Sequence, residues 1–530
     1  MSLTEGLKKE MQMRPAGVYC PDYFRAKGYA AEKHPSAAGR RADGICALLV
    51  EPTPYIYQND LIVGSQRSLF AELTEQQIGE ANAIVAAYPE RWFGTNKDHF
   101  APDFATVLQV GIVGLLAQIA ESEQAHAQDA QGLDFLEAMR CTLHALQERL
   151  LAHAKQARAL MGKEGYDDAR LTFIAQNCEQ VATGVPESFA QGLQLVWMIH
   201  NCFCAEGRYA MALGRIDQYL YPFFARDIEE NTLTEEEATA LLENVFAKIC
   251  ERRDYLGGDD VVNIAVGGIK PDGSDATNRL SFCILRAVGN VNRPGPNLSA
   301  RIAPTTPEDF LDECLKVIGT GLGYPALMND EVNIAALSRY GYAIEDARDY
   351  SMVGCIENFI TGMQPPWTDG RFDTPRFLEY IFNGGKGYFH PSAGLDTGSV
   401  ESITSMEILM ERLETQLKAG VREYVEGFNR VNVLPNPENY TSPFLSLFCK
   451  DCIGRGLDIN MGGAKYPSVH GVDIMGIGTM ADALAAVLGI SRAGAYTLMR
   501  SKGFPTLKIG KRMVVPKDKL IAWIDCQVPA

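Results

Sequence analysis

The chain of 530 residues is 46% hydrophobic and 22% charged, the makeup of an ordinary globular protein with room for one large domain and a smaller one. A net charge of −17 argues against general nucleic-acid binding by the body of the protein, because a polyanion is drawn to basic surfaces. Thirteen cysteines follow a start with no secretory pattern, and no apolar run reads as long enough to cross a bilayer, so a reducing cytoplasm is expected.

Taken in order, Glu51 to Gly64 sets prolines before an aromatic and β-branched patch, which predicts a turn into a short strand. From Phe104 to Met161 the apolar residues recur at helical spacing. His126, His144 and His153 fall among polar residues there and are expected on solvated helix faces rather than as ligands. Arg208 to Phe224 places Arg215 and Asp217 among aromatics. Buried charges must be paired to offset their desolvation, so a structural ion pair is predicted, with substrate contact as the alternative. Thr234 and Glu237 are spaced as a capping box ahead of Leu241, Leu242, Val245 and Ile249, which predicts a helix.

Val261 to Val266 and Asn297 to Ile302 read as short buried strands, and Pro307 to Ile318 as a helix. Strands alternating with helices predict an α/β layout. Gln364 to Phe372 is a rigid turn bearing Trp367, an acid and a base, suited equally to lining a pocket or packing at a surface. Glu407 to Val431 has the pattern of a long amphipathic helix. Cys449 and Cys452 have neither a second pair nor a histidine cluster beside them, so no metal centre is predicted.

The stretch that carries chemistry is Asp349 to Asn358, where Cys355 and Glu357 follow Gly354. In an extended segment residues i and i+2 point to one side, so thiol and carboxylate would reach one substrate from one loop. Glycine suits a tight turn or a close ligand approach. The alternative for Cys355 is a buried cysteine packed as a small hydrophobe.

The runs Gly323-Tyr324-Pro325-Ala326-Leu327-Met328-Asn329-Asp330, Arg348-Asp349-Tyr350 and Gly354-Cys355-Ile356-Glu357 resemble the cysteine-loop region of the glycyl radical enzymes, the relatives of pyruvate formate-lyase. Glu51 to Gly64, Gly214 to Phe223 and Cys452 to Tyr466 extend the resemblance, which runs to about Val487. The cysteine-x-glutamate order is similar to the eliminating and decarboxylating members. The resemblance implies a β/α barrel ringed by helices, here incomplete, and a homodimer. It implies a lyase cleaving a C–O, C–N, C–S or C–C bond of a small polar substrate, with Cys355 as thiyl site and Glu357 as general base. Arg215, Asp217, Asn329, Asp330 and Trp367 are the candidates for substrate contact. No bound cofactor is implied. The family's radical is installed on a glycine by a radical-SAM activating enzyme, and the expected R-V-(S/A/T)-G-Y loop does not occur in this sequence. Activity would then need a second chain that carries it.

Residues 488–530, reached by an overlap from as early as 476, resemble instead an excisionase-type winged helix-turn-helix. Leu488-Gly489-Ile490-Ser491-Arg492 matches its turn, and Ile509-Gly510-Lys511-Arg512 with Val515-Pro516 its wing. From Gly489 onward eight Lys or Arg stand against two Asp, a net +6 that leaves −23 on the rest. A basic tail on an acidic body is the electrostatic footprint of a DNA-binding module. The resemblance implies that Arg492 and Tyr496 face the major groove from the recognition helix and that Lys511 and Arg512 on the wing contact phosphates, with Arg500 a further DNA-binding candidate. The domains expected are 1–487, barrel-like, and 488–530, DNA-binding. The second functional reading is a DNA-binding or regulatory fusion with a non-catalytic barrel.

Overall fold

The structure, a computed structural model, describes residues 2–93, 98–257, 261–388, 394–432, 436–479 and 482, together with 507–509 and 512–514. The chain divides into two compact units, Met1–Thr368 with Leu434–His470 and Asp369–Val433 with Gly471–Ala530.

The first unit is built on helices. α1 (Pro21–Ala31) and α2 (Ala37–Val50) pack together, and α2 lies against α4 (Ala130–Leu160), which in turn packs on α5 (Asp168–Thr183). The stretch predicted as helical from Phe104 to Met161 forms two helices, α3 (Phe104–Ala125) and α4, and between them Asp129 accepts from the Gln131 and Gly132 amides and caps the second. Contrary to the sequence expectation, among the described residues one helix, α3, is long and apolar enough to cross a membrane by length and composition. Its Phe104, Val107, Leu108, Ile112, Leu115 and Ile119 belong to the main core, and a helix covered by neighbours on several sides has little need of a polar face. α6 (Phe189–Glu206) is buried along nearly its whole length. The predicted capping box opens α7 (Glu235–Ile249), with Thr234 Oγ1 accepting from the Glu237 amide and the Glu237 carboxylate accepting from the Thr234 amide.

Two sequence expectations fail for the same reason, which is burial. His153 is fully buried, with Nδ1 against the Arg149 carbonyl at 2.8 Å, whereas His144 is exposed as predicted. Burial and the Arg149 charge hold the His153 imidazole well below its ordinary pKa, so it is neutral. Residues 51–64 form no strand. Their backbone is satisfied by buried side chains instead: Asn244 Oδ1 accepts from the Leu61 and Ile62 amides, and the Gln194 amide bridges both backbone groups of Val63. Such replacement of ladder bonds by long-range side chains leaves no period-2 signature in the sequence.

The part that positions the site is a parallel sheet of β1 (Asn263–Gly267), β2 (Asn297–Ile302) and β3 (Ala326–Asn329), ordered β1-β2-β3. Asn263 pairs with Asn297 and Ser299 with Ala326. The connections run through α8 (Arg279–Val291) and α9 (Glu308–Val317), the crossover that parallel strands require. Single parallel bridges, Gly214 to Ile264 and Phe100 to Met211, carry the arrangement outward over residues 210–214 and 99–101. β1 is buried throughout, as expected for a strand covered on both faces. After α10 (Asp330–Arg339) come β4 (Tyr350–Val353) and β5 (Glu357–Ile360), an antiparallel hairpin pairing Tyr350 with Ile360 and Val353 with Glu357.

The second unit packs α11 (Pro375–Phe382) on the long α12 (Met406–Asn432), with Phe377, Ile381, Leu409 and Leu413 in its core. β6 (Thr368–Asp373) pairs with β7 (His470–Met475), and β8 (Leu507–Ile509) with β9 (Arg512–Val514). The last pair sets Ile509 opposite Arg512 in an antiparallel hairpin, at the position of the predicted wing. Arg492, Tyr496, Arg500 and Lys511 lie outside the described residues.

Candidate active site

Gly354, Cys355 and Ile356 are the turn of the β4–β5 hairpin, not the extended segment the sequence suggested. Gly354 has φ +54°, in the left-handed region that favours glycine, so the chain reverses there. Cys355 is exposed at the tip, which sets aside its reading as a packed hydrophobe. Glu357 opens β5, and its carboxylate bends back over the turn, where Oε2 accepts from the Ile356 amide at 3.1 Å. Cys355 and the Glu357 carboxylate therefore share one hairpin tip, brought there by a turn rather than by strand alternation.

A third group comes from far away in sequence. A methyl placed on Gly354 would lie 2.1 Å from His99 Cδ2 and 2.6 Å from Glu357 Oε2, so ring and carboxylate both close on the glycine. His99 Nδ1 pairs with Asp98 Oδ1 at 2.9 Å, and its carbonyl accepts from the Trp367 amide at 3.1 Å. No local pattern marks His99 in the sequence; only the parallel run of 99–101 beside 210–214 brings it here. The tip is also tied to the sheet, because the Asn263 side-chain amide donates to the Gly354 carbonyl. Trp367 is partly buried against the main core, and its indole Nε1 and Asn263 Oδ1 are buried polar atoms without a hydrogen-bond partner.

The other predicted residues stand behind the tip. Arg215 does not pair with Asp217: its guanidinium reaches Asp349 Oδ1 at 2.7 Å and the Gly267 carbonyl at 3.1 Å. Asp217 accepts instead from the Gly267 amide at 2.8 Å and from Ser281 Oγ at 2.6 Å, and burial pushes its carboxyl above the usual range. Asp330 takes both nitrogens of Arg301 at 2.9 Å and the Tyr350 hydroxyl at 2.8 Å. Arg301 donates further to the Tyr350 and Arg348 carbonyls, and its guanidinium lies 4.0 Å from the Tyr350 ring centre. Asn329 caps α10 by accepting from the Val332 amide. Arg215, Arg301 and Asp330 thus clamp the start of β4 to the carboxyl ends of β1 and β2, and Asp217 ties the end of β1 to α8.

The family model for pyruvate formate lyase-like proteins matches residues 68–497. The chain belongs to that family. A helix-turn-helix domain model matches residues 481–526 and overlaps the end of the first. Among relatives, the (2S)-3-sulfopropanediol dehydratase of Klebsiella oxytoca is 29% identical over 464 residues, covering 82% of this chain and 55% of the relative. The trans-4-hydroxy-L-proline dehydratase of Clostridioides difficile is 31% identical over 371 residues, 66% of this chain and 46% of the relative. The chain spans about half the length of the curated relatives it matches. A solved structure on 1,2-propanediol dehydration in Roseburia inulinivorans superposes with TM-score 0.81 at 24% identity, covering 99% of this chain and 74% of that one. The glycerol-bound B12-independent glycerol dehydratase of Clostridium butyricum gives 0.80 at 24%, over 94% and 73%. The fold is therefore the helix-rich α/β fold of the glycyl radical enzymes.

Proposed function

We propose that the chain carries the thiol and base of a glycyl radical lyase acting on a small polar substrate. The observation that carries this reading is the convergence of an exposed Cys355 with the Glu357 carboxylate and the His99 ring at one hairpin tip. When present, a glycyl radical installed by an activating enzyme supplies one-electron oxidation at the cysteine, and a partner chain bearing the family's glycyl loop is the proposed source. Cys355 Sγ takes a hydrogen atom from a substrate carbon and later returns it. Glu357 accepts the proton of the neighbouring hydroxyl while the adjacent bond breaks, and that proton departs with the leaving group, so the net change is loss of HX. His99, held at Nδ1 by Asp98, presents its other edge to the tip and orients the leaving group. Trp367 is the candidate for substrate contact nearest this cluster, while Arg215, Asp217 and Asp330 hold the frame. The test is anaerobic turnover of small diols, hydroxyprolines and sulfonated alcohols, followed by NMR, with activating enzyme, S-adenosylmethionine and a glycyl-loop-bearing protein. Product formed by the wild type and lost in Cys355→Ala and Glu357→Gln is expected. Turnover unchanged by either substitution would refute the assignment.

The helix-turn-helix match over 481–526 and the basic charge of that segment favour a second reading, a DNA-binding fusion with a non-catalytic barrel. Salt-sensitive binding of duplex DNA by the full chain, without turnover in any mixture, is its expected signature.

A further inference from the structure

Away from the hairpin, three side chains of different chemistry converge between the N-terminal helices and α4. His34 lies in the link between α1 and α2, and Glu137 and Cys141 lie on α4, four residues apart and so on one helix face. A ring nitrogen of His34, a carboxylate oxygen of Glu137 and Cys141 Sγ all lie within 4.8 Å of one another. Ligands of a tetrahedral zinc ion are about 3.3–3.8 Å apart, given metal–ligand bonds of about 2.0–2.3 Å, so small side-chain rotations close the gap. The three residues are half-buried, which leaves water a path to a further coordination position.

The surroundings fit a metal better than chance clustering would. Asp43, on α2 and only 5% exposed in its side chain, holds His34 twice: Oδ1 against Nδ1 at 2.8 Å and Oδ2 accepting from the His34 amide at 3.1 Å. A carboxylate on one imidazole nitrogen fixes the tautomer in which the other presents a lone pair, the usual outer shell of a metal-bound histidine. Arg140 donates to Glu137 Oε2 at 2.6 Å and also pairs with Glu123, while Glu137 Oε1 accepts from the Cys141 thiol at 3.5 Å. The oxygen facing the thiol is therefore not the one Arg140 holds.

We infer that His34, Glu137 and Cys141 form a binding site for a borderline divalent cation of the zinc type, with Asp43 as positioning residue. Imidazole and thiolate together select such an ion over magnesium or calcium, which seek oxygen cages. Binding replaces the Cys141 S–H bond by an S–metal bond and releases one proton. The ion would fasten the link between α1 and α2 to α4. Sequence spacing could not show this, because His34 is separated from the α4 pair by more than two intervening helices.

The test uses the full chain stripped of metal by chelator and titrated with Zn²⁺ and, separately, Co²⁺. One equivalent of Co²⁺ is expected to give a thiolate-to-cobalt charge-transfer band, and Zn²⁺ to raise the thermal midpoint. Cys141→Ser and His34→Ala should abolish the band, Asp43→Asn should weaken affinity by roughly 10–100-fold, and Cys314→Ser, altering a buried thiol on α9 rather than on the helices that form the site, should leave both readouts intact. His34 is about one-third exposed, so its replacement tests the site without emptying the core. Absence of the band in the wild type, or a band that survives Cys141→Ser, would overturn the proposal.

Discussion

At the scale of single residues, the site depends on buried charges set behind it. Arg301 and Asp330 are essentially unexposed and bonded bidentately, with the Arg301 guanidinium also holding two backbone carbonyls beside the hairpin. Removing one partner of such a pair strands the other, at a cost of about 3–5 kcal/mol. Asp330→Ala is accordingly expected to lose that much in urea unfolding, whereas replacing the exposed Glu5 of the Glu5–Lys8 pair should change little. A second residue sets a pH dependence. Burial against Trp197 lowers the His200 pKa to about 4 from an ordinary 6.5. Between these values the unfolded chain binds a proton that the folded one does not, so stability falls as pH drops from about 6.5 to about 4, by roughly 3 kcal/mol from this group. His153 adds to the same slope. His200→Gln should flatten the slope by one proton while His153's share remains, and an unchanged slope would show His200 to be protonated in the fold. Cys355 and Glu357 were legible in the sequence because their relation is local. His99 was not, because nothing near it in the chain signals that a parallel bridge carries it to the cysteine turn.

At the scale of elements, helices were the most readable. The capping box at Thr234 and the apolar spacing to Ile249 fixed α7, and charges along one face marked α12. Residues 51–64 misled because their amides bond to Asn244 and Gln194, partners on distant helices. The hairpin tip is a turn rather than the extended segment that the i, i+2 spacing predicts, and Gly354 is the residue that allows it. That turn gives a paired prediction. Gly341 has φ +89° in open space, so Gly341→Ala should cost only the backbone term, about 1–2 kcal/mol. Gly354→Ala meets the same penalty and drives its methyl into His99, so it should cost distinctly more and displace the ring. Equal losses in the two variants would mean that His99 does not close on the tip.

At the scale of the whole molecule, the alternation of strands and helices pointed to α/β, but the barrel itself came from resemblance, since short buried strands carry no topology. The described residues contain a three-stranded parallel sheet extended by two bridges, and the superpositions supply the fold. The charge contrast between an acidic body and a basic C-terminal segment was readable at once, and the helix-turn-helix match coincides with it. If that segment binds DNA through its wing, Lys511→Ala and Arg512→Ala should each reduce the slope of log affinity against log salt by about 1, across unrelated sequences. A slope unchanged by both would remove the wing from the interface. The central claim, that Cys355 passes the hydrogen atom between radical and substrate, is tested most directly by anaerobic EPR on the chain mixed with a glycyl-loop-bearing protein and its activating enzyme. A glycyl doublet that falls on substrate addition in the wild type but persists in Cys355→Ala is the predicted result. A doublet that responds to substrate equally in both proteins would contradict it.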